Sequence, residues 1–319
     1  MKSIKQGVAL AMMLSATMIS SAHALTVYTA GPGSLAKSLA SGYEKKTGVK
    51  VNIFQATTGK VMARLEAEQA NPQADVLISA SWDTAEDLHH RGWLLPYQSG
   101  NADKVPAALK TADYVAQGIS ALGIVWNSKS GTPEPKEWHD LTDAAFKDKV
   151  TTPDPALSGA SLDLLIGLQN GLGDKAWTLF EALKKNGMVV SGPNAQAVTP
   201  VMQGAKAAVF GAVDYVSYGN IAQGESLKVI FPASGTVIAP RPMMILKTTQ
   251  HADDAKAFVD YVLSPEGQAM VADAWLMPAR SDVQAKRPLL DELKILPTTS
   301  DGSSERSAVL SRFNGLFGQ

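Results

Sequence analysis

Four short stretches rich in Ser, Thr and Gly are candidate anion-binding turns, because each stands where a β-rich segment gives way to a helical one. They are Gly31-Pro32-Gly33-Ser34, Thr57-Thr58-Gly59-Lys60, Ser79-Ala80-Ser81-Trp82 and Ser158-Gly159-Ala160-Ser161. A helix that begins at such a turn presents unpaired N–H groups and a partial positive charge, and both favour an anion. A single turn of this kind is equally explained as an ordinary helix cap, so the prediction depends on all four turns facing one cleft. The residues predicted to contact a ligand there are Gly33, Ser34, Thr57, Thr58, Gly59, Ser79, Ser81, Ser158, Gly159, Ala160 and Ser161.

The fourth turn has the clearest local context. Pro153 and Pro155 hold the chain before it extended and exclude a helix. The apolar run 162–168 favours a helix directly after it. Asp214-Tyr215 is a further candidate ligand contact, because it follows a strand-like run in the same half of the chain. A surface turn is the alternative interpretation of that pair.

The motifs of nucleotide-binding and hydrolytic enzymes are incomplete in this sequence. Residues 31–36 fit the letters G-x-G-x-x-A, but no Asp or Glu ends the next strand to hold a ribose hydroxyl. Residues 58–61 lack the first Gly and the final Ser or Thr of a phosphate-binding P-loop. Neither a G-x-S-x-G elbow nor a zinc-binding His spacing occurs. We therefore expect no catalytic residues and no cofactor, and an exported enzyme is the weaker alternative.

The first residues have the pattern of a secretory signal. Met1-Lys2-Ser3-Ile4-Lys5 precedes the apolar run 7–20 and the small-residue site Ala22-His23-Ala24. This pattern predicts a signal peptide over residues 1–24, cleaved after Ala24. Without Lys2 and Lys5 the formal charge changes from −1 to −3, which is unlike the basic surface that nucleic acids require. The absence of cysteine excludes a disulfide framework and a lipid anchor on cysteine. We expect a soluble, monomeric protein in the periplasm.

Strand-like and helix-like patterns alternate along the chain. Residues 25–29, 49–53 and 74–78 are β-rich, and each is followed by one of the small-residue turns and a helical pattern. This order predicts a parallel sheet with crossover helices, in which ligands bind beyond the carboxyl ends of the strands. The apolar run 118–126 is a plausible crossing between two halves. We therefore expect an α/β protein of two hinged lobes, with lobe 1 formed by 25–121 plus 232–319 and lobe 2 by 122–231.

Several of these segments resemble the extracellular solute-binding proteins of ABC importers, in the branch that includes ferric-iron, 2-aminoethylphosphonate and sugar-phosphate binders. The resemblance covers nearly the whole chain after the signal segment. The segments that carry it are 42–49, 58–68, Ala74-Asp75-Val76-Leu77, Trp126-Asn127, 138–168 and Leu263-Ser264-Pro265-Glu266-Gly267-Gln268. It implies a two-lobed, type II Venus-flytrap fold with hinge crossovers, a ligand between the lobes, and a membrane permease as partner.

The resemblance leaves two classes of ligand open. Ferric members of the branch typically use two adjacent tyrosines, often with a His and a Glu. In this chain Val216 follows Tyr215, and the next tyrosine is Tyr218. Gly31-Pro32 and Ser79-Ala80 stand where the His and the Glu are expected. A trivalent hard cation needs anionic oxygen ligands, whereas hydroxyls and helix N-termini suit a phosphate or phosphonate.

We therefore expect a periplasmic binding protein for a small organic oxyanion, with a phosphonate or phosphate ester as the leading ligand. Ferric iron, bound through Tyr215 and Tyr218, is the alternative. Arg241, between two prolines, either adds a positive charge to the site or has a structural role.

Overall fold

The computed structural model describes residues 24–298 and 303–318, so the predicted signal segment before Ala24 lies outside the described residues. Within the described residues, ten α-helices pack around eleven strands, which form two sheets joined through one shared strand. In that part of the chain no helix combines the length and the apolar character needed to cross a membrane.

The first strands form a parallel sheet, because each is joined to the next by a helix that crosses over it. The elements are β1 (Ala24–Thr29), α1 (Gly33–Thr47), β2 (Lys50–Gln55), α2 (Thr58–Ala67), β3 (Val76–Ile78), α3 (Trp82–His90) and β4 (Leu94–Leu95). β1 lies between β2 and β3 and runs parallel to both. Its side chains Leu25 and Val27 are buried. The carboxyl ends of these three strands therefore lie at one edge and lead into the first three small-residue turns.

A single long strand joins the two halves of the molecule. β5 (Tyr114–Asn127) contains 14 residues, and all of them are buried. Up to Ala121 it pairs with β10 (Ile238–Leu246). From Leu122 onward it pairs with β8 (Ala208–Val213). The change of partner makes this point of β5 a crossing between two sheets.

The second half is built on β8 and contains the fourth turn. Its elements are β6 (Val150–Thr152), α4 (Gly159–Leu172), α5 (Asp174–Lys185), β7 (Val189–Val190), α6 (Asn194–Met202), β8, α7 (Asp214–Ala222) and β9 (Leu227–Ile230). Trp138, Phe180 and Phe210 pack together in its core. We call the part around β1–β4 and β10 lobe 1, and the part around β6–β9 lobe 2.

The chain returns to lobe 1 and then crosses back to lobe 2. α8 (Ala252–Val262), α9 (Pro265–Asp273) and β11 (Met277–Pro278) pack in lobe 1. α10 (Ser303–Phe317) packs against α4 and α5 of lobe 2, although the sequence pattern had placed 232–319 in lobe 1. Val309 and Phe313, one helical turn apart, are buried in the lobe 2 core, and this apolar pair holds α10 there.

A buried ion pair lies at the crossing between the lobes. Asp214, at the start of α7, pairs with Arg287, and both side chains are fully buried. One carboxylate oxygen of Asp214 also accepts from the backbone N–H of Ala121, at 2.9 Å. Burial raises the pKa of Asp214, and the guanidinium of Arg287 opposes that rise. The carboxylate therefore stabilises the crossing rather than facing open solvent.

Arg287→Met should destabilise the protein by about 3–5 kcal/mol, because it leaves the buried carboxylate of Asp214 without its cation. Urea unfolding followed by circular dichroism measures this change. Arg91→Met is the matched control, since Arg91 pairs with Glu66 and Asp87 on the surface and such pairs contribute at most about 1 kcal/mol. If both variants lost the same free energy of unfolding, the role given to the buried pair would be contradicted.

Candidate ligand-binding cleft

Three of the four predicted turns meet where the lobes face each other. A Cβ atom added to Gly159 of lobe 2 would lie 2.7 Å from Cβ of Ser81 and 3.6 Å from Oγ1 of Thr58, both in lobe 1. A Cβ added to Gly59 would lie 3.5 Å from the carbonyl oxygen of Ala156. The turns after β2, β3 and β6 are therefore brought into contact across the gap, whereas the turn after β1 takes no part in this contact.

A cleft of about 630 Å³ lies beside this contact and is lined by both lobes. Thr58, Gly59 and Ser81 line it from lobe 1, and Gly159 and Leu162 line it from lobe 2. Its volume is in the range of pockets that hold small molecules. Asp83 and Glu86 of α3 and Arg306 of α10 also line it, so its wall carries charges of both signs.

The first turn lies next to a buried arginine that sequence patterns left ambiguous. Nη1 of Arg241 donates to the carbonyl oxygen of Ala30 at 3.2 Å. A Cβ added to Gly31 would lie 3.9 Å from Oε1 of Gln117. Arg241 lies where the register between β10 and β5 is irregular, facing the stretch of β5 that contains Gln117 and Gly118. The first turn, Gln117 and Arg241 thus form a second polar region close to the crossing between the lobes.

The helix N-termini at these turns differ in how they are capped. No side chain caps α1, α2 or α3, although Thr57 and Ser81 occupy the capping positions of α2 and α3. In α4, by contrast, the hydroxyl of Ser158 accepts from the backbone N–H of Ser161. The N-termini of lobe 1 therefore lack the internal partner that a capping side chain supplies, which leaves them suited to an anion.

Several predicted contact residues have a structural partner in this conformation. The hydroxyl of Ser161 donates to the carbonyl oxygen of Pro153 at 3.2 Å, and that of Ser79 donates to Thr84 at 2.9 Å. Ala160 is buried, and Ser34 is exposed. Gly33 lies near Gln55, since an added Cβ would be 3.7 Å from its Oε1. Ser79, Ser158 and Ser161 therefore support the shape of the turns, whereas Thr57, Thr58, Gly59, Ser81 and Gly159 lie at or beside the meeting surfaces.

Apart from an oxygen of the ion-paired Asp83, four buried polar atoms next to the turns have no hydrogen-bond partner within the described part of the chain. They are Oγ1 of Thr57, Oε1 of Gln117, Oδ1 of Asn194 and Nε of Arg241. Each belongs to a turn or to a residue that contacts one, because Asn194 donates through Nδ2 to Ser158 at 2.8 Å. Buried polar atoms are normally paired, so this group indicates a place for a polar ligand.

The predicted Asp214-Tyr215 pair divides between two roles. Asp214 is held in the ion pair with Arg287 described above. Tyr215 is half-buried, and its ring centroid lies 5.0 Å from the guanidinium carbon of Arg241. Tyr218 stacks on Trp275, with ring centroids 6.2 Å apart. Burial and then the nearby Asp214 raise the pKa of Tyr218 to about 12, which disfavours its phenolate form.

Charged residues that the sequence motifs did not reveal meet at the mouth of the cleft. Asp163, the fifth residue of α4, accepts from Arg306 of α10 at 2.9 Å and from Ser81 at 3.3 Å. Arg306 also pairs with Asp83. Burial raises the pKa of Asp163 to about 6, and Arg306 opposes the rise. In the described residues, no three His, Cys, Asp or Glu side chains gather in a way that could hold a metal ion.

Gly159→Ala should keep the lobes from reaching the contact seen here, because its added Cβ would lie 2.7 Å from Cβ of Ser81. That atom is close to the backbone and cannot swing away, so the lobes must separate. Small-angle scattering of the unliganded protein should give a larger radius of gyration than wild type. Gly59→Ala is the matched control, because its Cβ makes an ordinary 3.5 Å contact. Identical curves for wild type and Gly159→Ala would contradict the contact.

Comparison with known proteins identifies the class. Residues 71–305 match the family described as bacterial extracellular solute-binding protein. A periplasmic protein of Salmonella typhimurium, provisionally assigned to 2-aminoethylphosphonate binding, is 28% identical over 260 residues, which cover 76% of this chain and 73% of that protein.

Two solved structures share the fold. AfuA, a periplasmic binding protein from Actinobacillus pleuropneumoniae with fructose 6-phosphate bound, has a TM-score of 0.84 at 24% identity, covering 92% of this chain and 98% of its own. Iron-bound HitA from Pseudomonas aeruginosa has a TM-score of 0.80 at 21% identity, covering 91% and 99%.

These findings confirm the fold class and the resemblance expected from the sequence. The structural neighbours are two-lobed binding proteins, and the relatives are transport-associated proteins rather than enzymes. The family match covers well over half of the chain. The chain therefore belongs to the bacterial extracellular solute-binding proteins, the periplasmic components of ABC importers.

Proposed function

We propose that this protein captures a small organic oxyanion, a phosphonate or a phosphate ester, between its lobes and delivers it to an ABC permease in the inner membrane. The observation that carries the proposal is the environment of Arg241. Its side chain is 1% exposed. Within the described residues it forms no ion pair with a carboxylate, and its Nε has no hydrogen-bond partner.

The contrast with the other buried arginines shows why this environment is unusual. Arg287 pairs with Asp214, and Arg280 pairs with Asp282. Burying a cation without a counter-ion is costly, since the charge loses its hydration and gains no opposite charge. An anionic group bound beside Arg241 supplies that charge. A phosphonate or phosphate also has several acceptor oxygens for the remaining donors.

The surroundings of Arg241 suit a tetrahedral oxyanion. Its guanidinium donates to Ala30, the residue before the first turn, so an anion held by Arg241 lies close to the N-terminus of α1. The unpartnered hydroxyl of Thr57 can donate to such an oxyanion, whereas the unpartnered amide oxygens of Gln117 and Asn194 accept and therefore suit a hydroxyl or amino group of an organic ligand. Helix N-termini and neutral donors together are the usual means of holding phosphate groups in proteins. The bound fructose 6-phosphate of AfuA and the assignment of the Salmonella relative are consistent with this class of ligand.

The same surroundings disfavour ferric iron. Of the three oxygen ligands considered from the sequence, Asp214 is held by Arg287, and Tyr218 has its pKa raised to about 12. Tyr215 remains, but its ring packs beside the guanidinium of Arg241. A trivalent cation placed there would be repelled by a buried positive charge.

Arg241→Met should weaken binding and leave the unliganded protein at least as stable. The charge-assisted hydrogen bonds it removes contribute about 1.5–3 kcal/mol, or roughly tenfold to a hundredfold in Kd. Calorimetric titration with 2-aminoethylphosphonate and with fructose 6-phosphate measures the affinity, and thermal unfolding without ligand measures stability. Because the variant also removes an uncompensated buried charge, its Tm should not fall.

Arg91→Met controls for the loss of a surface cation and should bind as wild type does. A lower Tm for unliganded Arg241→Met, with unchanged affinity, would assign Arg241 a structural role and contradict the proposal. Addition of ferric citrate provides a second test of the proposal. A stable coloured complex that Tyr215→Phe abolishes would favour the iron alternative over the oxyanion.

A further inference from the structure

We propose that Arg306 of α10 is a latch that holds the two lobes closed, because it is anchored to lobe 2 and pairs with lobe 1. The proposal concerns the closure of the cleft, and it holds whichever ligand the cleft takes.

The helix that carries Arg306 is fixed to lobe 2. Phe313 is 1% exposed, and its ring lies edge-on to Phe180 of α5 at a centroid distance of 6.3 Å. The guanidinium of Arg312 lies 3.9 Å from the ring centroid of Trp177, also on α5. α10 further packs against α4. When the lobes separate, α10 is therefore expected to move with lobe 2.

The partners of Arg306 belong to both lobes. Within lobe 2, its Nη1 donates to Asp163 at 2.9 Å. Across the gap, it pairs with Asp83 and donates to the hydroxyl of Ser81 at 3.3 Å. Asp83 and Ser81 are the first residues at the N-terminus of α3 in lobe 1. Opening the cleft must break the contacts to lobe 1 and keep the contact to Asp163.

The burial of these groups makes Arg306 necessary for closure. The side chains of Arg306, Asp83 and Asp163 are 14%, 23% and 8% exposed. Closure brings the two carboxylates together in a place with little water, and like charges there repel. Glu86 and His90 of α3 and Glu305 of α10 are the other charged or titratable groups near this cluster. Arg306 lies between the two aspartates, so its charge offsets a repulsion that would otherwise open the lobes.

The latch lies on the wall of the cleft that holds the turns. Arg306 and Ser81 line the cleft together with Thr58 and Gly159. A ligand held between the lobes is therefore enclosed when the latch forms. Since a ligand binds the closed form more tightly, any change in the closed population changes the apparent affinity by the same factor.

The test measures the distance between the lobes in the protein without ligand, so it is independent of the proposed oxyanion. Because the chain has no cysteine, Lys60→Cys and Lys175→Cys introduce two exposed labelling sites on opposite lobes. Pulsed electron resonance of spin labels at these sites reports the open and closed populations. Arg306→Gln should lower the ratio of closed to open molecules about tenfold, so that the longer distance becomes more populated. Asp83→Asn should lower this ratio as well.

A double variant and a same-helix control separate the latch from a general effect on α10. In the Asp83→Asn background, Arg306→Gln should have little further effect, because the contact between lobes is already lost. Arg312→Gln changes an arginine of the same helix that touches lobe 2, and it should leave the distance distribution as in wild type. The proposal would be overturned if Arg306→Gln left the distance distribution unchanged. It would also be overturned if the effects of Arg306→Gln and Asp83→Asn were additive, or if Arg312→Gln shifted the distribution as much as Arg306→Gln.

Discussion

Both lobes are hydrogen-bonded to one strand, β5, and this shared strand limits how they can move. Its 14 residues are all buried, so it cannot slide or leave either sheet without exposing apolar surface. The exchange of β10 for β8 as its partner occurs between Ala121 and Leu122. At that point the Asp214–Arg287 pair holds the backbone N–H of Ala121. We expect the remaining freedom to be a rotation of the lobes about this crossing.

A rotation about the crossing affects the two ends of the cleft differently. Arg241 of β10 faces the stretch of β5 that contains Gln117 and Gly118, a few residues from the crossing. Groups this close to a hinge move little, so the surroundings of Arg241 are expected to change little when the lobes close. Ser81 and Gly159 lie where the lobes touch, and their separation changes most. Closure is thus expected to alter the contact between the turns more than the surroundings of Arg241.

The two ends also have opposite charge. Arg241, beside the first turn, has no carboxylate partner among the described residues. The mouth contains Asp83 and Asp163, with Arg306 between them. Burial raises the pKa of Asp163 to about 6 even with Arg306 beside it. Arg241 therefore lacks a counter-ion, which an anionic ligand can supply. Arg306 instead compensates the two carboxylates that closure brings together. We infer that ligand recognition and lobe closure depend on different arginines.

The local structure of the site could be predicted from the sequence alone. Alternating β-rich and amphipathic segments predicted the parallel strands, their crossover helices and the turns at their carboxyl ends. Pro153 and Pro155 likewise predicted an extended loop before α4. These features depend on residues close together in the chain, whose backbone preferences are the same in any context. Even the crossing into a second sheet had a signal, the unbroken apolar run at 118–126.

The partner of each charged or phenolic side chain was decided by the tertiary structure. Asp214 and Tyr218 were plausible ligands from their positions in the chain, but Arg287 and Trp275 occupy them. Arg241 and Arg306 are the same residue type, yet one has no counter-ion and the other has two. No local pattern distinguishes these cases, because the partners lie from 57 positions (Tyr218 to Trp275) to 223 positions (Asp83 to Arg306) apart along the chain. The sequence by itself determined where the small-residue turns lie at the ends of the strands. Folding determined which of them meet and where a positive charge is left uncompensated, because burial and pairing depend on residues brought together from distant parts of the chain.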